Sequence, residues 1–312
     1  MSRPDNSIQR PHRYSRGRRA AIALAIAALT LAGCAGAGQE PPQTVAEEPQ
    51  APAVSPGTLE SAERAIAEGR LQDAGRILEP VLQIDPANTR ARLALAELYL
   101  AGGSLNRAVG AFEALVDDPE VGPAANQGMG IVMLLSGIED PGVEHLRRAV
   151  AADPSLWRAW NALGSHYDAG GQWAAASEAY ANALAERPEA ATVYNNRGFS
   201  LFMQGRLDEA IADLSHALRL DPDLELAQVN LRLALAWNGR YAQAMSGADQ
   251  QDMAALLNNI GYIALLRGDL ENAEAYLLRA MEVDPSFNEI AWRNLAYLRD
   301  VRELSSASAA GE

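Results

Sequence analysis

No lysine occurs among the 312 residues, so all 26 basic residues are arginine. Cysteine is almost missing too, and Cys34 stands alone. A single cysteine excludes an intramolecular disulfide and any zinc site made of paired thiolates. Of the four histidines, one lies in the leader, and the other three (His145, His166 and His216) fall far apart. They form no HExxH and no pair four residues apart. Aromatic residues make up 6 % of the chain, and few apolar runs alternate with period two. Alanine and leucine dominate instead, which favours helix. No glycine-rich phosphate loop is present, because Gly102-Gly103 and Gly170-Gly171 read as turns between helices. The paired acids Asp117-Asp118 and Glu47-Glu48 fall in a loop and a tether, whereas acid–base catalysis needs carboxylates held in a cleft. These absences argue against an enzyme, a metal site or a cofactor.

Charge is divided unevenly. Residues 1–33 hold Arg3, Arg10, Arg13, Arg16, Arg18 and Arg19 against Asp5, a net of +5, and the remainder carries a net of −19. A body that acidic repels phosphate backbones, so nucleic acid is not expected as a partner. It repels anionic lipid as well, so contact with a membrane needs a covalent or apolar anchor.

Such an anchor is written at the N-terminus. The basic stretch RPHRYSRGRR (10–19) precedes the 13-residue uncharged run AAIALAIAALTLA (20–32), then small residues and Cys34. Basic region, short apolar core and small-residue cleavage site are the layout of a secretory signal. Thirteen helical residues rise only about 20 Å against a bilayer core of about 30 Å, so a stable span is disfavoured. Leu31-Ala32-Gly33-Cys34 resembles the bacterial lipobox at all four positions. That resemblance implies lipidation of Cys34 and cleavage before it, with 1–33 as the signal peptide. The alternative is an ordinary signal peptide with an incidental cysteine. Two or more acyl chains on Cys34 give stable anchoring. Ala35 and Gly36 follow where enterobacterial lipoproteins retained at the inner membrane carry Asp. By that resemblance the protein is expected on the outer membrane, facing the periplasm. Residues 34–54, with Pro41, Pro42, Pro49 and Pro52, read as a disordered tether.

The rest of the chain repeats itself. Pro154, Pro188 and Pro222 are spaced by 34 residues, and Pro86 precedes Pro154 by twice that. In the unit 157–190, Trp160, Leu163, Gly164, Tyr167, Ala176, Tyr180, Ala183 and Pro188 occupy positions 4, 7, 8, 11, 20, 24, 27 and 32. This is the pattern of the tetratricopeptide repeat, which the chain resembles over 55–303. Unit 191–224 keeps Tyr194, Gly198, Leu201, Ala210, Leu214, Ala217 and Pro222. Unit 254–287 keeps Ile260, Gly261, Ala273, Leu277, Ala280 and Pro285. Units 55–88, 89–122 and 123–156 match less fully, and 225–253 is degenerate and five residues short. Residues 288–303 read as a closing helix and 304–312 as a disordered tail. The resemblance implies an all-α, right-handed superhelical solenoid of about seven helix pairs with a C-terminal cap. Small residues at positions 8 and 20 let paired helices approach. Large ones at 4, 7, 11 and 24 fill the space on one stripe.

In the tetratricopeptide family the first helix of each pair lines a concave face, and positions 2, 5, 6, 9, 12 and 13 meet ligands. Here those positions carry Asn161, Asn195, Asn196, Asn230, Asn258 and Asn259. Beside them stand Phe199, Phe202, Leu233, Trp237, Tyr262, Leu265 and Leu266. An amide that donates and accepts at once suits a peptide backbone, and exposed apolar groups beside it suit a binding groove. The alternative is that the same amides bond neighbouring helices and that some of the apolar residues pack between units. No Arg cluster of the carboxylate-clamp kind is present, so an internal extended segment or a helix is expected before a C-terminal carboxylate. The chain thus resembles adaptor lipoproteins. One such family is the TadD lipoproteins of tight-adherence (Flp) pilus systems, together with the pilotin-like lipoproteins of secretins. That resemblance implies secretin or pilus-assembly components as partners. Two alternatives stay open: an NlpI-like adaptor for cell-wall hydrolases, and an enzyme or carbohydrate binder within the repeats.

Overall fold

A computed structural model of the chain describes residues 56–250, 252–284 and 288–309. The expected signal peptide, Cys34 and the tether lie outside these residues. Among them the regular structure is entirely helical, and no helix is long and apolar enough to cross a membrane. The chain divides into two compact units at Ala149/Val150.

The first unit contains α1 (Pro56–Ala67), α2 (Leu71–Ile84), α3 (Thr89–Ala101), α4 (Leu105–Glu113), α5 (Gly122–Leu135) and most of α6 (Glu139–Ala152). The spacing of apolar residues explains its core. Leu59 and Ala62 of α1 meet Leu78 and Val81 of α2 and Ala91 and Ala94 of α3. Phe112 of the short α4 is fully buried with Ala96, Leu115, Ala125 and Met129. Asn88 caps α3 by accepting from the Ala91 N–H at 2.9 Å, which satisfies one of the orphan donors of that helix.

The second unit contains α7 (Trp157–Ala169), α8 (Trp173–Glu186), α9 (Ala191–Met203), α10 (Leu207–Leu220) and α11 (Glu225–Trp237). It continues with α12 (Tyr241–Ala244), α13 (Met253–Leu266), α14 (Leu270–Val283) and α15 (Asn288–Ala309). Consecutive helices pair as hairpins. The position-20, -24 and -27 triples Ala176/Tyr180/Ala183, Ala210/Leu214/Ala217 and Ala273/Leu277/Ala280 are all at most 1 % exposed. Opposite them lie Gly164, Gly198 and Gly261, where a Cβ would sit 2.6 Å from Tyr180, 2.8 Å from Leu214 and 2.8 Å from Leu277. Close approach therefore depends on the missing side chain.

Glycines with positive φ turn each hairpin, at 69, 103, 137, 171, 205, 239 and 268. Gly171 has φ +68°, a conformation that L side chains rarely adopt. The interval is 34 residues until Gly239, and 29 to Gly268. The five-residue deficit therefore falls after α11. There the second helix of the pair is α12, only four residues long, anchored by buried Tyr241 and Ala244. At the C-terminal end, α15 continues to Ala309, beyond residue 303 where the closing helix was expected to stop, so the stretch expected as a disordered tail is helical as far as 309.

Candidate protein-binding face

Of the first helices of the second unit, α7, α9, α11, α13 and α15, the first four carry all of the residues singled out for binding. Their amides form a bonded chain. Asn230 donates to the Asn195 carbonyl at 2.9 Å. Asn195 donates to Asn196 at 3.1 Å, and Asn196 to Asn161 at 3.1 Å. Farther along, Asn294 donates to Asn258 at 3.0 Å. Asn195, Asn230 and Asn258 are buried. The open ladder of amides expected for a peptide backbone is corrected accordingly: these side chains bond helix to helix. The reason is register. Position 6 of one unit lies against position 5 of the unit before it, 35 residues back, close enough for two amides to satisfy each other. Asn259 alone of the set is exposed.

The apolar candidates divide as well. Leu265 is 4 % exposed and belongs to the core. Phe202, Leu233 and Trp237 are partly buried against that core. Phe199 is half-buried and stacks on Phe202, with ring centroids 6.1 Å apart. Leu266 is half-buried. Tyr262 is exposed, and so are three residues the sequence reading did not select: Val229, Ile290 and Tyr297. Position 9 thus carries Phe199, Leu233 and Tyr262 on successive first helices. Tyr297 continues the row on α15, where Asn294 takes the place of Asn196 by bonding Asn258, at a separation of 36 residues instead of 35. A strict 34-residue frame would put Ala296 at this position, so Tyr297 is found only once the amide bond has set the register of α15 one residue later.

A polar knot joins α7, α8 and α9. The Asp168 carboxylate accepts from the Tyr180 hydroxyl at 2.8 Å and from the Ser200 hydroxyl at 2.7 Å. Burial raises the Asp168 carboxyl above its ordinary range, against the opposing pull of the two hydroxyl donors. Burial likewise pushes the Tyr180 hydroxyl up. Ser200 also faces a cleft of about 400 Å³ lined by Arg197, Gln204, Arg206, Glu209 and Asp213. Arg197 grips Asp213 through two bonds of 2.6 and 2.8 Å, which raises the arginine's already high pKa. Both charged pairs in this cleft are internally neutralised, since Arg206 binds Glu209 in the same two-pronged way. The cleft offers no unopposed charge to a ligand.

The histidines stay apart. His145 contacts Asn126 at 2.7 Å, and burial lowers its pKa. His216 packs against the Tyr194 ring at a tilt of 47°, and His166 lies beside Tyr167. Among the described residues no group of three or more His, Cys, Asp or Glu is placed to hold a metal ion.

Paired helices turned by glycine, closed by Ala–large–Ala triples and repeated every 34 residues define a helical-hairpin repeat protein. Models of the tetratricopeptide repeat match residues 65–125, 162–225 and 254–287, together just over half of the sequence, and the chain belongs to the tetratricopeptide-repeat family. It is 29 % identical over 140 residues to small glutamine-rich tetratricopeptide repeat-containing protein 2 of Mycosarcoma maydis, across 45 % of this chain and 31 % of that one. It is 32 % identical over 139 residues to the TPR repeat-containing thioredoxin TTL4 of Arabidopsis thaliana, across 42 % and 20 %. The chain thus spans less than a third of the length of these curated relatives. Among solved structures it resembles the human IFIT1 dimer with m7Gppp-AAAA, at 16 % identity over 77 % of this chain and 64 % of that one (TM-score 0.56). It also resembles the APC/C hetero-tetramer Cut9-Hcn1, at 17 % identity over 77 % and 55 % (TM-score 0.54). At these identities the likeness concerns the fold. A tetratricopeptide fold is that of a protein-interaction scaffold.

Proposed function

We propose that this scaffold is an outer-membrane lipoprotein adaptor, tethered through Cys34, that holds an extended or helical segment of a partner against its first-helix face. The anchor rests on the Leu31-Ala32-Gly33-Cys34 motif behind a short apolar run. The observation that carries the binding face is the row of apolar side chains at position 9, from Phe199 through Leu233 and Tyr262 to Tyr297. Tyr262 and Tyr297 are 41 % and 38 % exposed, although both are large and apolar. Large rings presented beside an exposed amide, Asn259, favour desolvated contact with a protein segment. The net charge of −19 over residues 34–312 favours partners that are basic where they touch. Lipid anchoring plus repeats is the build of the TadD lipoproteins, so assembly of a Flp-type pilus or its secretin is the reading preferred over cell-wall hydrolase recruitment.

Capture from the native envelope tests it. Tyr262→Ala with Tyr297→Ala is expected to lose the partners that the wild-type protein retains, with helicity unchanged by circular dichroism. Undiminished capture would remove the face from consideration. Secretin or pilus components among the captured proteins support the pilus reading, and hydrolases would replace it with the other. Cys34→Ser is expected to move the protein from the membrane fraction to the soluble one, and retention on the membrane would refute the anchor.

A further inference from the structure

α15 is built as the first helix of a pair, and it packs against α13 and α14. The bond from Asn294 to Asn258 fixes its register. It places Ala291 at position 3, Leu295 at 7 and Leu298 at 10, and all three are buried. They match buried Ala159, Leu163 and Ala234 in earlier first helices. In those helices positions 4, 8 and 11 meet the second helix. Trp160 and Tyr167 pack on the cluster of Ala176, Tyr180 and Ala183, and Gly164 lies under the Tyr180 ring. On α15 the same positions are Trp292, Ala296 and Arg299. They fall at i, i+4 and i+7 on one stripe, with Trp292 and Arg299 exposed and Ala296 half-buried between them. Trp292 is 57 % exposed there. A helix that closes a repeat array carries a polar outer face, so an exposed tryptophan marks this flank as a seat.

We propose that a second copy of this chain fills it, α15 against α15 about a twofold axis near Ala296. Two observations select that occupant over another protein. The stripe is self-complementary. Trp292 and Arg299 stand seven residues apart on either side of Ala296, so an antiparallel partner lays its Arg299 over each Trp292 ring, a cation–π pair made twice. Ala296 supplies the small residue that close approach needs, as Gly164, Gly198 and Gly261 do in the complete pairs. The charge also fits. α15 carries Arg293, Arg299 and Arg302 against Glu289, Asp300 and Glu303, a net of zero in a body of −19, so two copies meet there without net repulsion. A single helix pair is a small contact, which implies a concentration-dependent dimer with Kd on the order of micromolar.

Sedimentation equilibrium of the full chain in density-matched detergent, up to about 100 µM to bracket that affinity, reads the outcome. The wild type is expected to dimerise, while Trp292→Ala and Arg299→Glu each weaken dimerisation at least tenfold with unchanged circular dichroism. Ala296→Cys is expected to form a chain-to-chain disulfide under mild oxidation, while the wild type, with Cys34 alone, does not. A wild-type chain monomeric throughout that range overturns the proposal. So does a dimer indifferent to both substitutions, or one that Ala296→Cys fails to cross-link. Partner capture through Tyr262 and Tyr297 is read separately, so failure here leaves the binding face standing.

Discussion

Asn230 and Asn195 are joined by a 2.9 Å side-chain hydrogen bond across 35 residues of sequence, and both are buried. The bond belongs to a run of amides that ties α7, α9 and α11 together. Removing Asn195 strands the Asn230 donor in the interior. An unsatisfied buried polar group is worth about 1–3 kcal/mol, so Asn195→Ala is expected to lower stability by that amount in urea denaturation. Asn259→Ala, at an exposed site, is expected to change stability by less than about 0.5 kcal/mol. Equal effects of the two would contradict the division between spine and surface.

Gly198 faces Leu214 where a Cβ would lie 2.8 Å from Cγ and 3.3 Å from the Ala210 carbonyl oxygen. Alanine in mid-helix ordinarily gains about 0.5–1 kcal/mol over glycine. Overpacking of a close helix crossing outweighs that, at about 1–3 kcal/mol. Gly198→Ala is therefore expected to destabilise. Gly110→Ala in α4, with nothing within 4 Å, is expected to stabilise. Urea midpoints of the two variants should move in opposite directions.

Arg197 occupies position 7, where Leu163 and Ile260 are buried in other units. Its side chain is 30 % exposed and that of Asp213 14 %. Arg197→Ala leaves a largely buried carboxylate without its partner, and a loss of about 1–3 kcal/mol is expected. Replacing both residues by leucine is expected to restore stability to near the wild-type level, because an apolar pair of similar volume often replaces a buried ion pair without loss. A double variant less stable than Arg197→Ala would show that the pair does more than fill space.

Asp168 gives a pH dependence whose sign follows from its burial. Its folded-state pKa is raised, so the folded chain holds a proton that the unfolded chain has already released. Stability from this group is greatest at acid pH and falls as pH rises through the window between the ordinary carboxylate value and the raised one. Asp168→Asn cannot ionise. The stability of wild type minus that of Asp168→Asn should therefore decline with rising pH across that window and be flat above it. A difference that rises instead would reverse the assignment.

Much of this was legible in the sequence. The 34-residue period located the hairpins, and the residues at positions 8, 20, 24 and 27 are the ones that touch across each pair, as Gly164 and Tyr180 show. What stayed hidden is what depends on two helices at once. Asn195 and Asn259 look alike in sequence, but one is buried by the neighbouring unit and the other faces out. The Asp168–Tyr180–Ser200 knot draws on three helices and leaves no local pattern. Tyr297 was passed over because α15 reads as a terminal helix, and the amide bond that sets its register appears only in three dimensions.

The brevity of α12 has a mechanical consequence. Stability in such stacks is passed between neighbours, and between α10 and α14 the outer row narrows to one turn pinned by Tyr241 and Ala244. Strain would concentrate at that thin seam. Under load or heat the last hairpin and α15 would peel away as one block before α7 to α10 melt. Hydrogen exchange should then find the amides of 253–283 and 288–303 opening together and earlier than those of 157–220. Any partner seated across the seam would act as a clasp.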